Sequence, residues 1–215
     1  MKLQFCLRFC LGFSFLLAML HPAWAQGTHA QSAANHLDTT YRGGLVSPSL
    51  PKPIFTLTSG APFDLRAQTK GYITLLFFGY TYCPDMCPLQ MSTIASALKA
   101  IPSAVADRFK VVFVTTDPDR DTPQVLRSWL DHFDKRFIGL TGSEAAVVAA
   151  QIAANLPPAK KSAVRPDGSY EVGHSAFVLV YTKDNLAHII YPVGVKQEDW
   201  VHDLPYLAKE TWVSH

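Results

Sequence analysis

The amino-acid sequence predicts one α/β domain, in which a central mixed sheet is flanked by helices. Two uninterrupted apolar runs, at residues 73–79 and 111–116, have the composition of strands buried on both faces, which is typical of the centre of an α/β sheet. Helical spacing between and after these runs gives the order β-α-β-α-β-α-β-β-α, which indicates one layered domain. Apolar residues make up 48% of the 215 residues, so the composition excludes wholesale disorder.

Residues 1–25 have the features of an export signal. Lys2 and Arg8 precede or interrupt an apolar stretch that ends at residue 20, and the small-x-small pattern of residues 23–25 follows it. A bilayer span needs about 20 apolar residues, so the run at residues 9–20 is short for a permanent anchor. We expect cleavage after Ala25, and the alternative is an uncleaved membrane anchor.

Cleavage would change the charge and the cysteine content. The chain carries 19 Lys+Arg and 17 Asp+Glu, so loss of Lys2 and Arg8 leaves 17 of each. A neutral mature chain gives no support for a nucleic-acid surface. Of the four cysteines, Cys83 and Cys87 remain in an exported domain. The predicted compartment is the periplasm, which is oxidising, so two thiols kept there need a functional reason.

Residues 26–52 are predicted to form a flexible linker, because they are polar, contain several prolines and show no periodicity. His29 and His36 lie there and are interpreted as solvated side chains. The domain is predicted to span residues 53–215. It begins with a β-hairpin at residues 55–57 and 63–65, turning at Ser59-Gly60.

The remaining elements follow from helix caps and apolar periodicity. Thr122 and Ser143 are placed to cap helices, and Pro123 suits a first helical position. The predicted order after the first core strand is a helix at 86–99, the strand 111–116, a helix from 123, a strand at 137–140, a helix from 143 to about 154, a loop at 155–172, a hairpin at 176–181 and 187–191, and a last helix at 197–209.

Two cysteines spaced four residues apart follow the central strand directly. Pro88 is tolerated only in the first turn of a helix, so the helix should begin near Asp85, which is a candidate cap. Cys83 and Cys87 would then lie at the carboxyl end of a strand and the N-terminus of a helix. There the helix macrodipole is expected to lower the cysteine pKa. The spacing permits a reversible disulfide or two thiolates on one soft metal ion. A purely structural disulfide is less favoured, because closing so small a loop removes little chain entropy.

Two thiolates favour Cu(I), zinc or an iron–sulfur cluster. Zinc and clusters usually need four protein ligands, and the mature chain has no further cysteine. One histidine would complete a three-coordinate copper site. His174 is the best candidate, because it ends a long loop immediately before a buried strand. The other histidines of the predicted domain are interpreted as ordinary side chains: His132, His188, His202 and His215.

The segment Phe-Gly-Tyr-Thr-Tyr-Cys-Pro-Asp-Met-Cys-Pro at residues 78–88 resembles the signature of the Sco/SenC family, copper proteins of cytochrome c oxidase assembly. Asp-Pro-Asp-Arg-Asp-Thr-Pro at residues 117–123 resembles the acidic loop of that family. Val-Gly-His-Ser at residues 172–175 matches the position of its metal-binding histidine. The resemblance covers about residues 53–208.

This resemblance implies a thioredoxin-like fold and copper, Cu(I) or Cu(II), bound by Cys83, Cys87 and His174. It also implies delivery to the binuclear copper centre of cytochrome c oxidase subunit II, or to a similar copper-accepting protein. A copper donor protein and a thiol reductant are further expected partners. The predicted protein is therefore a periplasmic, membrane-proximal metallochaperone with no nucleic-acid partner, and a side role as a thiol–disulfide oxidoreductase stays open.

The sequence departs from the family pattern at two positions near the candidate ligands. Met86 stands where the family often has valine, and we interpret it as a packing residue rather than a thioether ligand. Gly173 stands where the family commonly has aspartate, so a carboxylate that could orient the histidine is missing. The three aspartates of residues 117–121 are interpreted as a turn and helix cap, or as a partner-docking edge, rather than as a calcium site.

The alternative function uses the same two cysteines for thiol–disulfide exchange with partner proteins, which would make the chain an oxidoreductase. Two observations favour metal binding over thiol–disulfide exchange. The spacer between Cys83 and Cys87 is longer than in Cys-x-x-Cys oxidoreductases. Those oxidoreductases usually have a cis-proline before the fourth strand, whereas here Ser175 precedes Ala176. A peroxiredoxin is disfavoured because no Thr-x-x-Cys pattern occurs at this helix. Nucleotide chemistry is disfavoured because no glycine-rich phosphate loop follows a strand.

Overall fold

The computed structural model describes residues 41–53, 55–210 and 212, and it confirms the predicted α/β class. A six-stranded mixed sheet forms the centre of the molecule, with helices packed on both of its faces. The strands are β1 (Gly44–Pro51), β2 (Thr56–Thr58), β3 (Pro62–Asp64), β4 (Ile73–Gly79), β5 (Phe109–Thr115), β6 (Ile138–Leu140), β7 (Lys160–Lys161), β8 (Val172–Gly173), β9 (Val178–Tyr181) and β10 (Leu186–Tyr191). The helices are α1 (Leu65–Gln68), α2 (Met86–Ala100), α3 (Ser103–Ala106), α4 (Pro123–Leu130), α5 (Glu144–Ala153) and α6 (Gln197–Lys209).

The order of strands in the main sheet is β1-β10-β9-β4-β5-β6. Strands β4, β5 and β6 are parallel, whereas β9, β10 and β1 add antiparallel partners on the other side of β4. Phe77 near the end of β4 is paired with Val178 at the start of β9. The segment that precedes β9 therefore lies beside the loop that follows β4.

Alternate side chains of β4 pack into two separate apolar layers, as expected for a strand buried on both faces. Leu75 and Phe77 pack with apolar residues of α2, α4 and α6. Leu76 and Phe78 face the other way, toward α1, α5 and the β2–β3 hairpin. All seven positions of β4 are buried, so the predicted central strand is confirmed.

The caps predicted at Thr122 and Ser143 are both present. The Thr122 hydroxyl oxygen accepts a hydrogen bond from the Val125 N–H at 3.2 Å. The Ser143 hydroxyl oxygen accepts one from the Ala146 N–H, also at 3.2 Å. Such contacts satisfy amide groups that have no partner within the helix.

The prediction of a flexible linker at residues 26–52 is wrong for the C-terminal part of that segment. Residues 44–51 form the edge strand β1, which pairs with β10, and the neighbouring Tyr41 and Lys52 are buried. Polar residues and prolines are compatible with an edge strand, because one side of it needs no ladder hydrogen bonds. The predicted signal segment, with Ala25, and the linker residues 26–40 lie outside the described residues.

The loop predicted at residues 155–172 contains a short ladder that periodicity did not indicate. Lys160 pairs with Gly173 and Lys161 pairs with Val172. This ladder returns the chain to the main sheet just before β9. Among the helices that the structure describes, none combines the length and the hydropathy needed to cross a bilayer.

The buried Lys52 provides a test of the packing between β1 and the core. Its Nζ donates hydrogen bonds to the Thr69 and Thr74 hydroxyl oxygens at 3.1 Å and 3.0 Å. Burial lowers the pKa of Lys52 to about 8 in the folded protein. An unfolded chain keeps this proton until about pH 10.4.

We expect the folded protein to gain stability relative to Lys52→Met as the pH rises from about 8 to about 10.4, because only the unfolded parent still binds the proton there. The slope should approach about 1.4 kcal/mol per pH unit. Urea unfolding of both proteins across this range measures it. Lys70→Met is the control, since Lys70 is exposed. Parallel pH profiles for parent and Lys52→Met would contradict the expectation.

Candidate metal centre

Three potential ligands converge at the carboxyl end of β4. Cys83 lies in the turn after this strand, Cys87 in the first turn of α2, and His174 directly after β8. The two sulfur atoms and a ring nitrogen all lie within 4.8 Å of one another. The Sγ of Cys87 is 3.5 Å from the Nε2 of His174. The structure therefore brings together the three residues that the sequence proposed as ligands.

The Cys87 thiol is fully buried in the core. It occupies space left open by Gly79, where a Cβ would lie 2.8 Å from the Cys87 Sγ and 3.0 Å from the Phe113 ring. Burial raises the pKa of the Cys87 thiol well above its ordinary value. The expected lowering by the helix macrodipole is wrong for this residue, because removal from water outweighs a dipole effect of about 0.3–1 kcal/mol.

Cys83 differs from Cys87 in its exposure. Its side chain is partly accessible, and its N–H donates to the Tyr80 carbonyl oxygen at 3.3 Å. Cys83 lines a cavity of about 310 Å³ that opens to solvent and is also bordered by Met86 and His174. Both cysteines are free thiols. An incoming ion or partner group would therefore meet Cys83 before it meets Cys87.

Met86 is 38% exposed, so it is not buried in the core, and its interpretation as a packing residue rather than a thioether ligand stays a prediction. Its position at the start of α2 turns it toward the cavity instead of the sheet. Asp85 occupies the N-cap position of α2, as expected, but its side chain accepts no capping hydrogen bond.

The imidazole of His174 is held by backbone and aromatic contacts. Its Nδ1–H donates to the carbonyl oxygen of Ser175 at 3.0 Å. A carbonyl can only accept, so this bond makes Nε2 the unprotonated nitrogen of the neutral ring, and Nε2 lies 3.5 Å from the Cys87 Sγ. The rings of Phe77 and Tyr80 contact the imidazole edge-on, with centroids 6.0 Å and 5.8 Å away. Burial lowers the pKa of His174, which favours the neutral, ligating form.

The Ser175 carbonyl performs the orienting task that a carboxylate at position 173 could have performed. Gly173 itself is exposed, and a Cβ there would meet only the Lys160 carbonyl oxygen at 3.8 Å. A larger side chain would therefore fit at position 173, and steric crowding does not explain the glycine.

This donor set fits a soft metal ion. Atoms bonded to one ion at about 2.0–2.3 Å are at most about 4.6 Å apart, and the three ligand atoms nearly meet that limit already. Two sulfurs and one imidazole suit copper better than hard cations. The same two thiols are also placed for exchange with a disulfide, since one of them is accessible.

The other described histidines make local contacts elsewhere. The His188 imidazole bonds to the Asp184 carboxylate at 2.7 Å and stacks on Trp212. His202 bonds to the adjacent Asp203 carboxylate at 2.7 Å, and His132 is exposed. His29, His36 and His215 lie outside the described residues.

The structure corrects part of the interpretation of the acidic loop, residues 117–121. Thr122 caps α4 as predicted, but Asp117 and Asp121 are fully buried and hydrogen-bonded. Only Asp119 is exposed, and it pairs with Lys161 at 2.6 Å. The expectation of an acidic docking edge is therefore wrong for two of the three aspartates. The sequence gives no sign that the Tyr170 hydroxyl forms a hydrogen bond with Asp117 in this loop.

Comparison with known proteins assigns the chain to a family. The SCO1/SenC family model matches residues 52–209, so the chain belongs to the SCO1/SenC family. A SCO2-like protein of Rickettsia prowazekii is 30% identical over 149 residues, which are 64% of this chain and 72% of that protein. The SCO2-like protein of Rickettsia felis is 36% identical over 110 residues, 51% of this chain and about half (53%) of that relative.

Solved structures confirm the predicted thioredoxin-like fold. The apo Sco1 protein of Thermus thermophilus has a TM-score of 0.69 and 32% identity, covering 78% of this chain and 97% of that chain. Bradyrhizobium japonicum ScoI, solved with copper bound, has a TM-score of 0.65 and 30% identity, covering 74% of this chain and 99% of that chain.

The contact at Gly79 yields a test of the site. We expect Gly79→Ala to destabilise the protein by about 1–3 kcal/mol, because the new methyl group overlaps the Cys87 sulfur and the Phe113 ring. Displacement of Cys87 should also weaken metal binding. Thermal unfolding and metal titration measure the two effects. Gly173→Ala is the matched control, since its methyl group has room. Unchanged stability and binding in Gly79→Ala would contradict this account.

Proposed function

We propose that this protein binds one copper ion through Cys83, Cys87 and His174 and delivers it as a metallochaperone. The observation that carries the proposal is the convergence of two thiols and one imidazole nitrogen within 4.8 Å. The recipient we propose is the binuclear copper centre of cytochrome c oxidase subunit II. Membership of the SCO1/SenC family supports this assignment. The proposed location is the periplasm, which rests on the signal features of residues 1–25.

The unequal exposure of the two thiols supports transfer by ligand exchange. Cys87 is fully buried and would hold the ion from the protein side. Cys83 and His174 border the open cavity, where a thiolate or imidazole of an acceptor can approach. Each new acceptor bond can replace one of these two ligands, so the ion need not pass through a free, hydrated state.

A second candidate function is thiol–disulfide exchange. The accessible Cys83 could attack a partner's disulfide, and Cys87 could then resolve the mixed disulfide. In that exchange the two thiols of this protein lose two electrons and two protons, and the partner's disulfide becomes two thiols. The observation that favours it is that both cysteines are free and only one of them is open to solvent.

His174→Ala separates the two functions. A three-coordinate copper site loses one ligand in this variant, whereas dithiol exchange needs only the two sulfurs. We expect Cu(II) affinity to fall by about tenfold or more and Cu(I) affinity to fall less, because Cu(I) accepts two sulfur ligands. Reduction of a model disulfide should stay close to the parent rate.

Competition with chromophoric chelators measures both affinities, and His132→Ala is the control because His132 is exposed and outside the site. If His174→Ala keeps full copper affinity while a Cys83→Ser, Cys87→Ser double variant loses it, the chaperone assignment fails. The dithiol function would then replace it.

Oxidation provides an independent test of the metal site. Closing a Cys83–Cys87 disulfide removes both thiolates, so the oxidised protein should lose tight copper binding. Mass spectrometry should show a loss of about 2 Da for the two hydrogens. Anaerobic copper titration of the reduced and oxidised forms measures the change, and re-reduction should restore binding. Equal affinity in both forms would show that the cysteines are not the ligands.

A further inference from the structure

The acidic loop at residues 117–121 contacts the segment that carries Cys83. The fully buried Asp121 carboxylate accepts hydrogen bonds from the Thr81 N–H at 3.0 Å and from the Thr81 hydroxyl at 2.5 Å. It also accepts one from the Thr115 hydroxyl at 2.6 Å. Since Thr81 lies two residues before Cys83, Asp121 fixes the cysteine segment to the end of β5.

The same loop contacts the segment that carries His174. The Tyr170 hydroxyl donates to the fully buried Asp117 carboxylate at 2.8 Å. The Arg120 guanidinium also donates to Asp117 and stacks on the Tyr170 ring, 3.7 Å from its centroid. Tyr170 lies four residues before His174, at the entrance to β8. We call Asp117, Arg120 and Tyr170 the clamp.

Arg120 also reaches the rings on the cysteine side of the site. Its guanidinium carbon lies 4.6 Å from the Tyr82 ring centroid and 5.9 Å from that of Tyr80. The Tyr80 ring in turn contacts the His174 imidazole. One cation thus lies among aromatic rings from both segments, where cation–π attraction acts on each.

A simple turn or surface ion pair does not account for these contacts. Exposed ion pairs contribute little, whereas the Asp117 carboxylate is fully buried and Arg120 is mostly covered. The segments joined by the clamp are distant in sequence. The His174 segment is also held to residues 160–162, by the two-residue ladder of β7 and β8 and by hydrogen bonds between Ser162 and Glu171. The clamp additionally joins it to the acidic loop.

We propose that Arg120 is a positioning residue that, through Asp117 and Tyr170, holds His174 at ligating distance from the two cysteines. This inference rests on the proposed copper site. The clamp contacts neither sulfur, and the hydrogen bonds of Asp121 to Thr81 anchor the cysteine segment without it. Its loss therefore affects the imidazole more than the dithiol, although Arg120 also stacks on Tyr82 beside Cys83. The chain would then keep a two-sulfur site suited to Cu(I) and lose the nitrogen ligand that Cu(II) needs.

Arg120→Lys and Tyr170→Phe test the clamp. The lysine keeps a positive charge beside Asp117 but loses the planar stacking, and the phenylalanine keeps the ring but loses the hydroxyl bond. Arg165→Ala is the matched control, because Arg165 pairs with Glu171 in the same loop but both side chains are exposed. Thermal unfolding establishes that each variant is folded.

The first measurement uses copper-free protein. Hydrogen exchange of the backbone amides at residues 170–176 should accelerate by about tenfold in Arg120→Lys and Tyr170→Phe and stay at the parent rate in Arg165→Ala. Unchanged exchange in both clamp variants overturns the proposal. Because no metal is present, this result stands even if the proposed copper function fails.

The second measurement uses copper. In both clamp variants Cu(II) affinity should fall by about fivefold or more and the nitrogen hyperfine signal in electron paramagnetic resonance should weaken, while Cu(I) affinity stays within about twofold. Parent-like Cu(II) spectra and affinity in the folded variants overturn the positioning role. A parent protein that binds no copper instead refutes the proposed function, and the exchange data then decide whether the clamp holds the loop.

Discussion

The pairing of β4 with β9 is the interaction on which the site depends. The register that sets Phe77 opposite Val178 brings the residues before β9 next to the loop after β4. A slip of one residue would reverse the faces of every side chain in β9, and its four buried residues make such a slip costly. The same backbone hydrogen bonds that build the sheet therefore bring the segment that carries His174 alongside the loop that carries Cys83.

Within that frame, the two sulfur atoms have different surroundings. Cys87 is part of the apolar layer between β4 and α2, and its position is fixed by core packing. Cys83 lies in an irregular turn, and its position depends on the hydrogen bonds of the acidic loop to Thr81. The centre thus combines one ligand set by the core with two ligands carried by loops. Loops can adjust to a change in metal oxidation state more easily than a packed core can.

Local sequence patterns predicted two kinds of element: strands that are apolar on both faces, and helices whose N-cap side chain bonds an amide a few residues away. The strand at residues 73–79 was found because both of its faces are apolar, and α4 and α5 because Thr122 and Ser143 bond amides three residues away. The edge strand β1 was missed, because its pairing with β10 depends on residues about 140 positions away and its composition is that of a linker. The burial of Cys87 was missed for a similar reason, since α2 and the sheet enclose it together.

Gly79 links the backbone of the central strand to the chemistry of the site. Its missing Cβ leaves space for the Cys87 sulfur, which would otherwise lie 2.8 Å away. In a family of sequences with this backbone, the residues at these two positions cannot vary independently. Any side chain at position 79 requires a smaller residue at position 87 or a displaced helix, so a glycine at the end of the strand should accompany the second cysteine wherever that cysteine is retained.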